Sequence, residues 1–331
     1  MKNVRLEDIA KRLNLTKVSI SKALRDHPDI SVETRKKVKK MAKQMGYRPN
    51  LQARSLTSKE TKTIGVIIPK IAHSFFSLVM EGIYKTAQEK GYKVILGISM
   101  EDEELERQHI ESMMEMRVDG LLVSISEHTE DAEIFDQVKK MGIHLVFFDR
   151  GFMDAGYSYI KVDDRGGART GVRHMIDLGY RDIAHLAGFS TVLIGRDRKL
   201  GYEDAMEEAG LEIPESSVVE GGFGEEDGYT GFKKLLDQRD LPEALFAVTY
   251  PVGLGALRYM IENGVDPGQI KILTFGGGEF IWSLVTPFIC IDQPTVALGK
   301  RAIEQLLMEM EKEDETIKPE LIELPTNTIK K

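Results

Sequence analysis

Lys17, Val18, Ser21, Lys22 and Arg25 stand at i, i+1, i+4, i+5 and i+8. On a helix these positions form one stripe of cations, a hydroxyl and a small apolar group. Such a stripe offers donors to base edges and phosphates. It lacks the nucleophile-and-base pairing that catalysis needs. The plainer reading is a solvated basic helix face. The segment that carries it, "LNLTKVSISKAL", is short and rich in Thr, Val, Ser and Ile, which form helix less readily than Ala, Glu or Lys. Neighbouring elements must therefore hold it.

No comparable arrangement for catalysis occurs elsewhere. The chain has no lysine-bearing P-loop, no G-x-S-x-G elbow and no H-E-x-x-H pair. "GGFGEEDG" at 221–228 resembles a phosphate loop, but Gly222, Gly224 and Gly228 miss the G-x-G-x-x-G spacing by one. His73, His109, His144 and His185 are scattered, and Cys290 is the single cysteine, so neither a metal site nor an internal disulfide is expected. The expectation is a protein without enzymatic activity, cofactor or metal.

Charge separates the chain into two parts. Residues 1–62 carry 17 Lys/Arg against 6 Asp/Glu, a net +11, while the remainder carries −19 within an overall −8. A basic head on an acidic body is the footprint of a nucleic-acid-binding module joined to another domain. Hydrophobic residues at 42% and charged residues at 30% are ordinary for a globular protein, and 331 residues exceed one typical domain. "MKNVRLEDIA" lacks the apolar segment of a secretory signal, and no run approaches the roughly 18 apolar residues of a membrane span. Cytoplasmic localisation is the expectation.

The elements that would present the stripe can be placed. Leu6, Ile9, Ala10 and Leu13 give a two-turn amphipathic helix. Thr16 is an N-cap for the next, in which Ile20 and Leu24 point inward. Ser31 caps a third helix with an apolar face of Val38, Met41, Ala42 and Met45, closed by Gly46. This is a helix-turn-helix, residues 1–48. Polar, proline-bearing residues 49–62 form a linker. From 63 to 331, strands alternate with helices. "TIGVIIP", "YKVILGIS", "DGLLVSIS" and "HLVFFDR" form one set; "YIKVDD", "DIAHLAG", "ALFAVTY" and "IKILTFG" form a second. Their near-continuous apolar character predicts buried parallel strands in two doubly wound α/β lobes.

These features resemble the LacI/GalR (lactose-repressor-like) family of bacterial transcription regulators, and the resemblance runs over nearly the whole chain. "DIAKRLNLTKVSISKALR" is similar to the family pattern "DVAxxAGVSxxTVSRxLN", with Asn14 in place of the turn glycine, Lys22 in place of an arginine and Arg25 in place of an asparagine. Asn tolerates the left-handed conformation, so the turn is preserved. The resemblance implies a homodimer on a near-palindromic operator, with Thr16, Lys17, Val18, Ser21, Lys22 and Arg25 at the major groove. It also implies a hinge helix from Asn50 to Leu56, with Arg54 within it and Leu56 as a wedge in the minor groove. The body would be like periplasmic sugar-binding proteins, with lobe one at about 63–161 plus 294–320 and lobe two at about 162–291 plus 321–331.

An effector cleft between the lobes is likewise implied. His73, Phe75 and Phe76 follow strand one at its mouth. Asp149, Arg198, Phe223 and Gln293 match ligand-contacting positions, and Asp163 lies at a lobe crossover as a structural residue. Thr249 with Tyr250, and Phe275 to Gly278, replace the family's "ND" and "GFDD". Two polar contacts to a simple sugar are thereby lost. The N–H groups of Gly276 and its neighbours suit a larger or anionic carbohydrate derivative instead. The expectation is a repressor controlled by a small, carbohydrate-derived effector. Control by a protein partner, or by no effector, is the alternative; a solute-binding receptor or an enzyme fits less well.

Overall fold

The structure is a computed structural model that describes residues 4–47, 60–72, 74–153, 155–277, 288–312 and 318–330. The chain divides into two compact units at Thr61/Lys62.

The first unit holds three helices, α1 (Leu6–Leu13), α2 (Lys17–Leu24) and α3 (Val32–Met45). Asn14 closes α1 in the left-handed conformation, φ 52°, doing without the usual glycine. Thr16 Oγ1 accepts the Ser19 N–H at 3.0 Å, and Ser31 Oγ accepts that of Thr34 at 3.3 Å. Gly46 ends α3 at φ 69°. Ile9, Ala10, Ile20, Ala23, Val38 and Ala42 form the small core, with Leu24 only partly buried against it. Helix α2 is therefore anchored by its inner side, while Val18 is 65% exposed on the outer one.

The second unit has two six-stranded sheets. The first, in spatial order, is β11 (Leu321–Leu324), β5 (Ser158–Val162), β4 (His144–Phe148), β3 (Gly120–Val123), β1 (Thr63–Ile68) and β2 (Lys93–Ile98), parallel throughout. The second is β12 (Asn327–Lys330), β10 (Phe288–Asp292), β9 (Lys271–Phe275), β8 (Ala244–Ala247), β6 (Ile183–Gly188) and β7 (Val218–Gly221). All its pairs are parallel except β10 with β12. Helices cover both faces, as continuous apolar strands require. They are α4 (Ser74–Glu89), α5 (Glu103–Glu115), α6 (Glu133–Lys140), α7 (Asp164–Asp177), α8 (Leu193–Glu208), α9 (Glu225–Gln238), α10 (Tyr250–Glu262) and α11 (Thr295–Met310).

Two expectations about the lobes are corrected. "YIKVDD" does not open the second lobe: β5 pairs with β4 and β11 in the first sheet. Residues 321–324 also belong to the first lobe, because β11 continues that sheet at its edge. The chain thus crosses between lobes after β5, after β10 and after β11. Helix α11 returns to the first lobe, burying Leu298, Ala302, Ile303 and Leu306 against Ile64, Val66, Val79 and Ile83. Asp163 is structural, as expected. Its carboxylate accepts the Gly166 N–H at 2.8 Å and caps α7 at the first crossover.

Candidate functional site

The outer side of α2 holds the first group of residues. Thr16, Lys17, Val18 and Arg25 are exposed, and Ser21 and Lys22 are half-buried. The two lysines are held by acids of the head itself. Lys22 Nζ donates to Asp29 Oδ2 at 2.7 Å and Lys17 Nζ to Glu7 Oε1 at 3.0 Å. Those bonds hold the carboxyls of Asp29 and Glu7 below their usual range. Both pairs are solvent-exposed and therefore cheap to exchange for phosphate or base contacts. Arg25 Nε donates to the Ser21 carbonyl at 3.3 Å, lying along the helix. Asn50, Arg54 and Leu56 lie outside the described residues.

The second group meets in a cavity of about 360 Å³ between the lobes, at the carboxyl ends of the strands. Phe75, Phe76, Asp149, Arg198, Phe223, Thr249, Tyr250, Gly276 and Gln293 all line it. His73 lies outside the described residues. The lining also includes Lys70, Glu101, Arg150, Phe275 and Asp292, which sequence reasoning had not singled out as contacts. Arg150 follows Asp149 directly and Phe275 ends β9, so both had a positional signal. Glu101 had none, because it is one acid in the run "EDEE".

From the first lobe, Asp149 enters the cavity at the end of β4 with φ 60°. Tyr159 Oη donates to its carbonyl at 2.7 Å, and Ser124 Oγ lies 3.4 Å from Oδ2. Burial pushes its carboxyl up to about 6. Arg150 donates through Nη1 to both Glu101 oxygens, at 2.9 and 3.1 Å, and its Nε stands 4.0 Å from Asp149 Oδ2. The same guanidinium lies 4.9 Å from the Phe223 ring centre in the opposite lobe. Lys70 Nζ is 3.8 Å from Glu101.

In the second lobe, Arg198 Nε donates to Asp164 Oδ1 at 2.9 Å and Nη1 to the Val248 carbonyl at 2.6 Å. Its guanidinium sits 3.8 Å over the Phe275 ring. Thr249 caps α10 and donates its hydroxyl to the Phe223 carbonyl at 2.8 Å. Tyr250 meets Phe288 edge-on at 5.7 Å. Gln293, at the second crossover, is 8% exposed, and its Nε2 has no hydrogen-bond partner among the described residues.

The anion-binding expectation for the glycine run is corrected at Gly276 only. The Gly276 N–H is spent on the Ile291 carbonyl at 2.9 Å, and Gly278 lies outside the described residues. The loop at 221–228 is no phosphate cradle either, since Asp227 Oδ2 itself accepts the Gly224 N–H at 2.9 Å. His185 is buried, stacked 4.4 Å from Phe246, and burial pushes it down to about 4. Among the described residues no group of His, Cys, Asp and Glu could hold a metal, and no helix is long and apolar enough to cross a membrane.

A helix-turn-helix head on a two-lobed body of periplasmic-binding-protein type defines a DNA-binding transcription regulator. Comparison with known proteins agrees. The bacterial regulatory proteins of the lacI family match residues 5–50, and the periplasmic binding protein domain matches 64–314. The transcriptional repressor PurR of Haemophilus influenzae is 31% identical over 94% of this chain and 93% of its own. Catabolite control protein A of Priestia megaterium is 29% identical over 98% and 97%. A complex of the transcriptional regulator CelR with cellobiose superimposes with a TM-score of 0.71 at 25% identity, covering 98% of each chain. The lac repressor dimer bound to operator has a TM-score of 0.85 over 99% and 98%, and at 22% identity shares the fold. The chain belongs to the lacI family of bacterial regulatory proteins and is a DNA-binding transcriptional repressor rather than an enzyme.

Proposed function

We propose that this repressor acts in the cytoplasm as a homodimer on a near-palindromic operator, and that a carbohydrate-derived small molecule in the interlobe cavity controls it. The observation that carries the effector reading is the convergence of eight ligand-type side chains and Gly276 on one cavity. Charged, carboxamide and aromatic groups meet there, where the lobes can close on a ligand. Closure that differs between the free and bound states is what links such a site to the DNA-binding end.

On DNA, Lys22 and Arg25 read base edges from α2, while Thr16, Lys17, Val18 and Ser21 fit the same major groove. Asn50, Arg54 and Leu56 form the hinge contacts in the central minor groove, with Leu56 between base steps. The lac repressor dimer bound to operator and the CelR–cellobiose complex support this reading by their likeness to the chain.

The test is a mobility shift with DNA from beside the gene, titrated with carbohydrates. The full chain should shift a palindromic fragment, residues 61–331 alone should not, and one class of carbohydrate should change the affinity. Binding retained by residues 61–331 would refute the division of labour. Affinity insensitive to every carbohydrate would point to a protein partner or to effector-free repression.

A further inference from the structure

We propose that the cavity selects an uncharged polyhydroxylated ligand with an apolar face, such as a neutral disaccharide or aryl glycoside, and rejects its carboxylate and phosphate counterparts. The inference rests on the cavity's being the effector site and deepens that reading.

Every described cation in the wall already faces a carboxylate. Arg198 is matched by Asp164, and neither side chain is more than 3% exposed. Arg150 is matched by Glu101 at 2.9 Å, with Asp149 4.0 Å away, and Lys70 shares Glu101 at 3.8 Å. Asp292 adds a further carboxylate to the lining. An entering anion would lose its hydration and find no cation free to compensate it, which is costly in a buried site. Of the glycine run's backbone donors, that of Gly276 is bonded to Ile291.

The groups left open suit hydroxyls. Asp149 keeps acceptor capacity, since beside the Arg150 Nε at 4.0 Å its carboxylate accepts a hydrogen bond from Ser124 Oγ at 3.4 Å through Oδ2. The matched Arg198–Asp164 pair still has N–H groups to offer, since a guanidinium carries five and Asp164 and Val248 engage only part of them. Gln293 brings a buried carboxamide N–H with no partner among the described residues, a donor suited to a ring or glycosidic oxygen. Both acceptors and donors are thus present, without net positive charge. Phe75, Phe223 and Tyr250 supply the apolar walls on which the face of a sugar ring or an aglycone stacks. A volume of about 360 Å³ exceeds what a single hexose fills.

The experiment is calorimetric titration of the full chain with matched probes. Neutral disaccharides and p-nitrophenyl glycosides are set beside the corresponding aldobiouronic acids and sugar 6-phosphates. At least one neutral probe should bind, and its acidic counterpart should bind tenfold or more weakly. Gln293→Leu, close in volume, should weaken the neutral probe tenfold or more without moving the thermal midpoint of the free protein. Gln293→Lys, which adds an unmatched cation, should shift preference toward the acidic probe. Equal or tighter binding of an acidic probe by the wild type would overturn the inference while leaving a carbohydrate effector in place. No binding by any probe would remove the carbohydrate reading and this inference with it.

Discussion

Arg198 Nη2 lies 2.8 Å from Asp164 Oδ1, in a pair almost wholly removed from solvent at the wall of the interlobe cavity. Burial raises the Asp164 carboxyl above its usual range, and the guanidinium beside it is the first influence opposing that rise. The arginine was expected as a ligand grip. The structure makes it also the partner of a carboxylate that would otherwise be stranded in the second lobe, so its removal has two consequences.

Arg198→Ala should cost about 3–5 kcal/mol of stability, because it leaves Asp164 buried and uncompensated. Adding Asp164→Asn should restore part of that loss, while the response to effector stays abolished. Denaturant unfolding of the two variants separates packing from ligand contact. Wild-type stability in Arg198→Ala would show that the pair does not carry buried charge.

At the head, Lys22→Ala should lose about 1–3 kcal/mol on the operator and little on random DNA. Asp29→Asn should act in the opposite direction. It removes a carboxylate from the DNA-facing surface and leaves Lys22 without its 2.7 Å partner, so both DNAs should bind more tightly, most clearly at low salt. Fluorescence anisotropy across a salt series measures both effects. Weaker operator binding by Asp29→Asn would mean that Asp29 orients the lysine for reading rather than restraining it.

What the sequence made legible followed from local rules. Thr16, Ser31 and Gly46 punctuate the head as their cap chemistry dictates, and Asn14 adopts the left-handed turn that its side chain tolerates. The alternation of apolar runs and helices set out both lobes. Pairing partners were not legible in the same way. β5 reads equally well as the end of one set or the start of the next, since a strand buried on both faces carries no mark of its neighbours. β11, with Leu321 and Glu323 exposed at a sheet edge, has too weak a pattern to declare its lobe. In the cavity, positions could be anticipated but not their hydrogen-bond commitments. Nothing in "FGGG" says that the Gly276 N–H is taken by the Ile291 carbonyl, in a strand further along the chain, or that Glu101 reaches Arg150.

Glu106 gives a prediction with pH. It is 1% exposed and accepts from the Ser126 N–H at 2.6 Å and the Thr129 hydroxyl at 3.0 Å, and burial pushes its carboxyl up to about 7 from an ordinary 4.5. Between those values the folded protein keeps a proton that the unfolded chain has released. This contribution therefore destabilises the fold progressively as pH rises from about 4.5 through 7. Glu106→Gln should remove that decline, since its amide can accept from Ser126 and donate to Thr129. Its advantage should grow with pH to at most about 3 kcal/mol above neutrality. Thermal melts at pH 5 and pH 8 measure it, and an advantage that shrank with pH would contradict the assignment.

Gly82 and Gly299 set how closely α4 and α11 cross in the first lobe. A Cβ on Gly82 would stand 2.2 Å from the Val296 carbonyl oxygen, and one on Gly299 2.0 Å from that of Val79. Both obstacles are backbone, so neither can swing aside as a side chain could. Gly299→Ala must separate the helices, and overpacking of this kind costs about 1–3 kcal/mol. That exceeds the ~1 kcal/mol by which alanine otherwise improves on glycine within a helix. Gly231, in α9, is the control: its Cβ would meet nothing nearer than 3.5 Å, so Gly231→Ala should stabilise by up to ~1 kcal/mol. The first variant carries a functional consequence as well. Helix α11 begins at Thr295, two residues after Gln293, and both line the cavity. A displaced α11 should therefore weaken effector binding beyond any loss of stability, whereas Gly231→Ala should leave it unchanged. Denaturant unfolding and ligand titration of both variants decide the matter, and a Gly299→Ala protein as stable as the wild type would show that the two backbones do not meet.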